Sequence, residues 1–342
     1  MKWMHILQRI SVVILMGGIA LWLNTTTVQA ADQSMNYQVK ANLPSSQNNQ
    51  SVTYFDLRLA PNQEETISIT VQNNDNQAHI FNISPNTAVT NQNGVVDYSQ
   101  SKKKADETAP ANIASLITGD KKVTVPAHSS KDAIFKIKMP AKKFHGTLLG
   151  GFNIVREGQP TVKKQKNRVT LRNQFAYVIG LKVTESDAIV APNLKLNHIK
   201  AGLVNYRTAI TANLQNTKAV MIRGLKVDAV VTKLGSDQVL HRTVKSDLAM
   251  APNSNFEYAI NWDNEALKPG KYMLKLAATD KSGGKWYFTS RFKITEQKAH
   301  QANDQAVDLQ KTTINWWYII GGILLVLLVG YIIFLKRQAK KA

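Results

Sequence analysis

Apolar and polar residues alternate one by one in short runs along most of this chain. Phe55, Leu57 and Leu59 alternate with Asp56 and Arg58. Ile67, Ile69 and Val71 alternate with Ser68 and Thr70, and Phe135, Ile137 and Met139 with Lys136 and Lys138. Successive side chains of a strand point to opposite faces, so a period of two marks strands with one buried face. Asn73-Asn74-Asp75-Asn76, Asn93-Gly94 and Pro126 punctuate these runs as turns. The texture returns later, with Leu225, Val227, Ala229 and Val231, and again with Phe256, Tyr258, Ile260 and Trp262. Pro269-Gly270 opens a strand from Lys271 to Thr279, Asp280 to Gly284 turns, and Lys285 to Thr295 returns as the second arm of a hairpin. Only Ala111 to Thr118 suggests a short helix inside this region. Many short strands with regular turns predict an all-β chain of tandem immunoglobulin-like β-sandwiches.

Both ends break the pattern. Lys2 and Arg9 precede an apolar run from Val12 to Leu23, and Val28-Gln29-Ala30 follows as a small-residue cleavage site. Residues 1–30 therefore read as a signal peptide. Residues 316–335 carry no charge and would reach roughly 30 Å as a helix, the thickness of a hydrocarbon core. Trp316, Trp317 and Tyr318 suit an outer aromatic belt, and Lys336, Arg337, Lys340 and Lys341 in the tail 336–342 suit the cytoplasmic side. No Leu-Pro-x-Thr-Gly sorting signal is present. The expectation is a single-pass protein of the cell membrane, its bulk facing the cell wall.

Length suggests two domains between these ends. Gly158, Pro160, Lys163, Lys164 and Lys166 make a polar break, which divides the chain into a domain at 31–157, a linker at 158–167 and a domain at 168–296. The apolar run Phe175 to Val183 opens the second domain in this reading. Residues 297–315 lack apolar periodicity and read as a polar stalk, flexible or frayed helix.

The formal charge is +20. Lys2 and Arg9 account for two of these charges and the tail for four, which leaves +14 on residues 31–315. An exported segment does not meet cytosolic nucleic acid, so the relevant polyanions are teichoic acids and other wall polymers. General basicity without a dedicated partner explains the charge equally well. The chain has no cysteine, so its domains hold together without disulfides.

Few residues suggest chemistry. The seven histidines have no metal-ligand spacing, and phosphate loops, nucleophile elbows and calcium loops are absent. No metal or cofactor is expected. Ser101-Lys102-Lys103-Lys104 matches a Ser-x-x-Lys motif and Lys281-Ser282-Gly283 resembles Lys-Thr-Gly, the pair used by penicillin-binding enzymes. That chemistry needs the serine at the start of a buried helix, whereas this one lies in a lysine-rich run, so no enzyme is expected. The connection Ser84 to Ser99 offers Asn86, Asn91, Asn93, Asp97 and Tyr98, whose donors and acceptors suit the hydroxyls and amides of carbohydrate or peptide. The same residues also cap their own turns. Gly150-Gly151 marks a close approach of another backbone, or a bulge.

Several segments resemble one family. YFDLRLAP at 54–61, the connection at 84–99 and GTLLGGFNI at 146–154 are similar to the first domain of the WxL-interacting proteins of Gram-positive bacteria. AYVIGLKV at 176–183, KAGLVNYR at 200–207, MAPNSNFEY at 250–258 and KPGKYML at 268–274 resemble its second domain. The resemblance implies a first domain that binds peptidoglycan and a second that binds WxL-domain surface proteins or host components. It carries no catalytic signature. The expected function is a non-enzymatic, membrane-anchored scaffold, with a host-matrix adhesin and a wall-modifying enzyme as the alternatives. Candidate peptidoglycan contacts are Tyr54, Asp56, Asn86, Asn91, Asn93, Asp97 and Tyr98. Candidate partner contacts are Asn205, Tyr206, Arg207, Asn253, Asn255 and Phe256, because tyrosine and arginine are enriched at interface hot spots. For Tyr206 and Phe256 a place in the sandwich core is the competing reading.

Overall fold

The structure, a computed structural model, describes residues 36–158, 175–309 and 316–339. In the first sandwich one sheet carries β1 (Tyr37–Asn42), β3 (Glu64–Asn73), β9 (Ser129–Lys138) and β7 (Ile117–Gly119), in that order. The facing sheet carries β2 (Phe55–Arg58), β11 (Tyr177–Thr184), β10 (Thr147–Arg156), β4 (His79–Thr87) and β8 (Lys122–Val125). β5 (Val89–Thr90) and β6 (Val96–Asp97) make a small ribbon beside them. The period-two residues point inward as expected. Ile67 lies opposite Phe135 and Ile69 opposite Ala133, all four buried, and the Phe135 and Phe152 rings meet at 4.7 Å across the core.

The second sandwich has a three-stranded sheet, β12 (Leu194–Val204), β13 (Arg207–Asn216) and β16 (Ser254–Asn261). Its four-stranded sheet runs β15 (Val239–Met250), β14 (Ile222–Lys233), β17 (Gly270–Thr279) and β18 (Lys285–Ile294). β17 and β18 are the expected hairpin. Its turn is fixed by Asp280, whose Oδ1 accepts from the backbone N–H of Ser282 at 3.0 Å and of Gly284 at 2.7 Å. The short helix expected near Ala111 is a 3-10 turn, Ile113–Leu116, capped by Asn112.

One strand packs with the other domain than expected. β11, the run expected to open the second domain, lies inside the first. Eight residues pair antiparallel with β10, four pair parallel with β2, and Ile179, Leu181 and Val183 enter the first core. The polar stretch 158–167 therefore lies on the connection between two neighbouring strands of one sheet; its residues 159–167, like 168–174, lie outside the described residues. The chain crosses between domains at residues 185–193 instead. A polar loop has the same composition whether it joins two strands or two domains, so composition does not show that β11 packs with the first sandwich.

The expected stalk also begins as ordered structure. Helix α1 (Glu296–Gln305) is capped by Thr295, buries Ala299 and Ala302 in the second core, and exchanges two hydrogen bonds between the Asn303 amide and the Leu267 backbone, at 2.8 and 3.0 Å. It docks through two alanines and one amide, too small an apolar face to register as periodicity. Helix α2 (Trp316–Ala339) follows. Its side chains are described over residues 320–332, all exposed, and among the described residues no helix is long and apolar enough to cross a membrane. The segment read as a signal peptide, residues 1–30, lies outside the described residues.

Candidate functional site

The connection from β4 to the 3-10 turn forms a bracket against the second sandwich. Asp106 is its centre. One oxygen accepts from the Thr108 N–H at 3.0 Å and hydroxyl at 2.7 Å, and the Gln215 and Asn255 amides of the second domain reach the carboxylate at 2.8 Å each. Burial pushes this carboxyl up, but these hydrogen bonds outweigh it and hold the group below the usual carboxylate range. Asn253, at φ +45, donates to the Thr108 carbonyl at 2.8 Å. Thr90 shares a 2.6 Å hydroxyl contact with Ser254 and accepts from the Ala251 N–H at 3.1 Å. Backbone bonds from Ala249 to the Gly94 carbonyl and from Thr147 to the Ala219 carbonyl, both 2.7 Å, complete the junction.

Two clefts flank this junction. The first, of about 740 Å³, is bounded by Tyr54, Tyr98, Leu149 and Lys182 of the first domain and by Met221 and Arg223 of the second. β10 lets Tyr98 settle here. Its glycines keep unshifted register with β4, so no bulge forms. A Cβ on Gly150 would stand 2.7 Å from the Asn86 carbonyl, and one on Gly151 2.9 Å from the Tyr98 ring. Close approach is thus the reason for the pair. Burial raises the Tyr98 phenol; the nearby Arg223 charge acts the other way and Tyr54 adds to the rise. Lys182 lies opposite Asp56 in the parallel β2–β11 register and pairs with it at 3.1 Å, which holds the ammonium at the cleft wall. The result is a groove with two phenols, apolar walls and two cations.

The second cleft, of about 580 Å³, is polar. Asn91, Asn93 and Lys103 face Asn205, Lys245, Asn255 and Glu257 across it. Glu257 Oε1 accepts from Asn213 at 3.1 Å and meets His198 at 3.0 Å, while its buried Oε2 has no hydrogen-bond partner.

The structure sorts the candidates expected from the sequence. Tyr54 and Tyr98 line the first cleft, and Asn91, Asn93, Asn205 and Asn255 line the second, so residues assigned to different partners share one groove. Asn91 also caps its own turn, accepting from Asn93 and Val95, and Asp97 does the same with Ser99 and Gln100. Four candidates are corrected as surface contacts because their side chains are buried: Asp56 pairs with Lys182, Asn86 donates to the Tyr98 carbonyl at 2.7 Å, Asn253 ties the domains together, and Phe256 packs in the second core. Tyr206 has the opposite fate. With Asn205 it occupies the positive-φ tip of the β12–β13 turn, 71% exposed, so it is not a core residue. Arg207 pairs with Asp308 at 3.3 Å, on the surface. Ser101 and Lys281-Ser282-Gly283 both lie in turns. Lys182, Arg223, Lys103 and Glu257 were not anticipated. Only Lys182 left a signal, as the lone charge within the run 177–183; the others meet the cleft through domain docking alone.

Residues 37–156 match the family described as WxL Interacting Protein, peptidoglycan binding domain, and residues 166–304 match WxL Interacting Protein, host binding domain. The second match takes in β11, which packs with the first sandwich. No curated protein matches the chain by sequence. Among solved structures, a chaperone–tip adhesin complex of CFA/I fimbriae biogenesis is 12% identical, with 73% of this chain and 97% of that chain covered at a TM-score of 0.31. The E. coli chaperone DraB is 11% identical over 75% and 95% of the two chains, TM-score 0.27. A PapD-like domain of human CEP192 is 9% identical over 46% and 89%, TM-score 0.26.

Proposed function

Given that this chain belongs to the WxL-interacting protein family, we propose that it is a non-enzymatic, membrane-anchored scaffold that grips peptidoglycan in the first cleft and presents its second domain to WxL-domain surface proteins. The supporting observation is the composition of that cleft. The apolar faces of N-acetylated sugars stack on tyrosine rings, and the carboxylates of stem peptides pair with arginine and lysine. Tyr54, Tyr98, Arg223 and Lys182 supply both around one groove. In the sequence, the uncharged run 316–335 and the basic tail after it support the anchor, and in this reading that tail is cytoplasmic.

Co-sedimentation of the detergent-solubilised full chain with peptidoglycan freed of anionic polymers tests the cleft. Tyr54→Ala and Arg223→Gln alter exposed side chains and should leave the melting temperature nearly unchanged. Each should weaken binding about tenfold, the range of an interface hot spot. Binding by both variants at the level of the parent would place the peptidoglycan site elsewhere.

A second reading, direct binding of host components by the second domain, is favoured by the exposed turn Asn205-Tyr206 and by the family description of that domain. Tyr206→Ala separates the two: the partner that loses affinity is the one this turn contacts.

A further inference from the structure

The outer face of the β14–β17–β18 sheet is a dense array of positive charge. Register and alternation put Lys226, Lys271, Lys275, Lys285, Arg291 and Lys293 on that one face, all exposed. Lys275 has Asp237 at 3.7 Å, and Asp228, on the same face, is taken by Arg242 at 2.6 Å. The other five make no ion pair among the described residues. Lys271 stands directly opposite Lys293, a like-charge pair that costs sheet stability. β18 is an edge strand, and Lys285, Arg291 and Lys293 share its outer side with Tyr287, 73% exposed. Alternate residues of a strand stand about 7 Å apart, so the charges run in rows. No cup or buried cation converges on one point, and the face suits an extended polyanion rather than a single anion.

We infer that this sheet face is a docking surface for a linear phosphodiester polymer of the cell wall, of the teichoic-acid class. The source rests on the proposed function, because a chain whose first domain grips peptidoglycan holds its second domain among wall polymers. The interaction is electrostatic, spread over several weak contacts and released by salt. It is separate from the first cleft, which lies at the domain junction.

The test titrates the detergent-solubilised full chain with poly(glycerol phosphate) at rising salt. A variant with Lys226, Lys271, Lys285, Arg291 and Lys293 changed to Gln is compared with one in which Lys102, Lys104, Lys121, Lys131 and Lys136, exposed on the first domain, are changed to Gln. The face variant should lose about tenfold or more in affinity with a shallower salt dependence, and the control less than about threefold. Binding to polymer-free peptidoglycan should be unchanged in both, so failure of the peptidoglycan site and failure of this face give different results. Equal losses in the two variants would reduce the effect to net charge and overturn the proposal. So would heparin or anionic lipid vesicles binding the parent as tightly as poly(glycerol phosphate). Should the fivefold variant fold poorly, Arg291→Gln with Lys293→Gln should still lose about threefold, and no loss there overturns the proposal equally.

Discussion

Gly151 shows how one missing side chain shapes a site. Its absent Cβ leaves room for the Tyr98 ring, and the Ile179 carbonyl on the other side, 3.0 Å from where a Cβ would stand, blocks retreat. Gly151→Ala should cost about 1–3 kcal/mol by overpacking and displace Tyr98. Chemical denaturation measures the first effect, and weakened peptidoglycan co-sedimentation the second. Asp106 governs the junction in a pH-dependent way. Its folded-state pKa is depressed, so its contribution is complete above the unfolded carboxyl value of about 3.9 and is lost as pH falls through the folded value. Stability curves between about pH 5 and pH 2 should therefore be flatter for Asp106→Asn than for the parent chain. At this scale the sequence was half readable. It pointed to the amide-rich connection, but not to which amides face water, because Asn86 and Asn91 bond locally and Asn253 bonds across a junction that no short motif encodes.

Strands were the most legible elements, since alternation needs only neighbours in sequence. Phe55 to Leu59, Ile67 to Val71 and Phe135 to Met139 all bury the residues that the pattern selects. Strand partners were illegible. β11 alternates well, with Ile179, Leu181 and Val183 inward, yet nothing local says that its neighbours are β2 and β10 rather than β12. This has a direct consequence for dissection. A chain ending at residue 157 lacks a strand flanked on both sides and three buried aliphatic side chains, each worth about 1.5–3 kcal/mol. It should fail to unfold cooperatively, whereas a chain of residues 36–187 should give a sigmoidal melt by circular dichroism. Helix α1 was legible only as frayed helix, and its docking was not, because it is polar nearly all round. Asn303→Ala leaves the Leu267 backbone without either bond and should destabilise the second domain by about 1–3 kcal/mol, readable in a thermal melt.

For the whole molecule, the decisive fact is that the two sandwiches share a polar junction. Thr90, Gly94, Asp106 and Thr108 of one domain meet Ala249, Ala251, Asn253, Ser254 and Asn255 of the other, so the clefts at the junction are walled by both domains. Apolar cores set each sandwich separately, and their outlines were visible in composition. The groove between them depends on surface amides and could not be read in advance. The proposed anchor belongs to this scale as well. In wall-stripped cells, added protease should remove the ectodomain and leave a membrane-bound fragment containing α2; protection of the ectodomain would invert the proposed topology.

The place of β11 also sets a timetable. Lys182 meets Asp56 across 126 positions of chain, and residues 55–58 have their parallel partner only when residues 181–184 exist. A chain emerging from its N-terminus therefore has β2 and β10 complete, with open hydrogen-bonding edges, while the strand that belongs between them is still unmade. Such long-range pairing is slow, and unpaired edges recruit other chains. The first sandwich thus remains unfinished until residues 177–184 are synthesised, and the interval between residues 156 and 177 is when this protein is most exposed to aggregation.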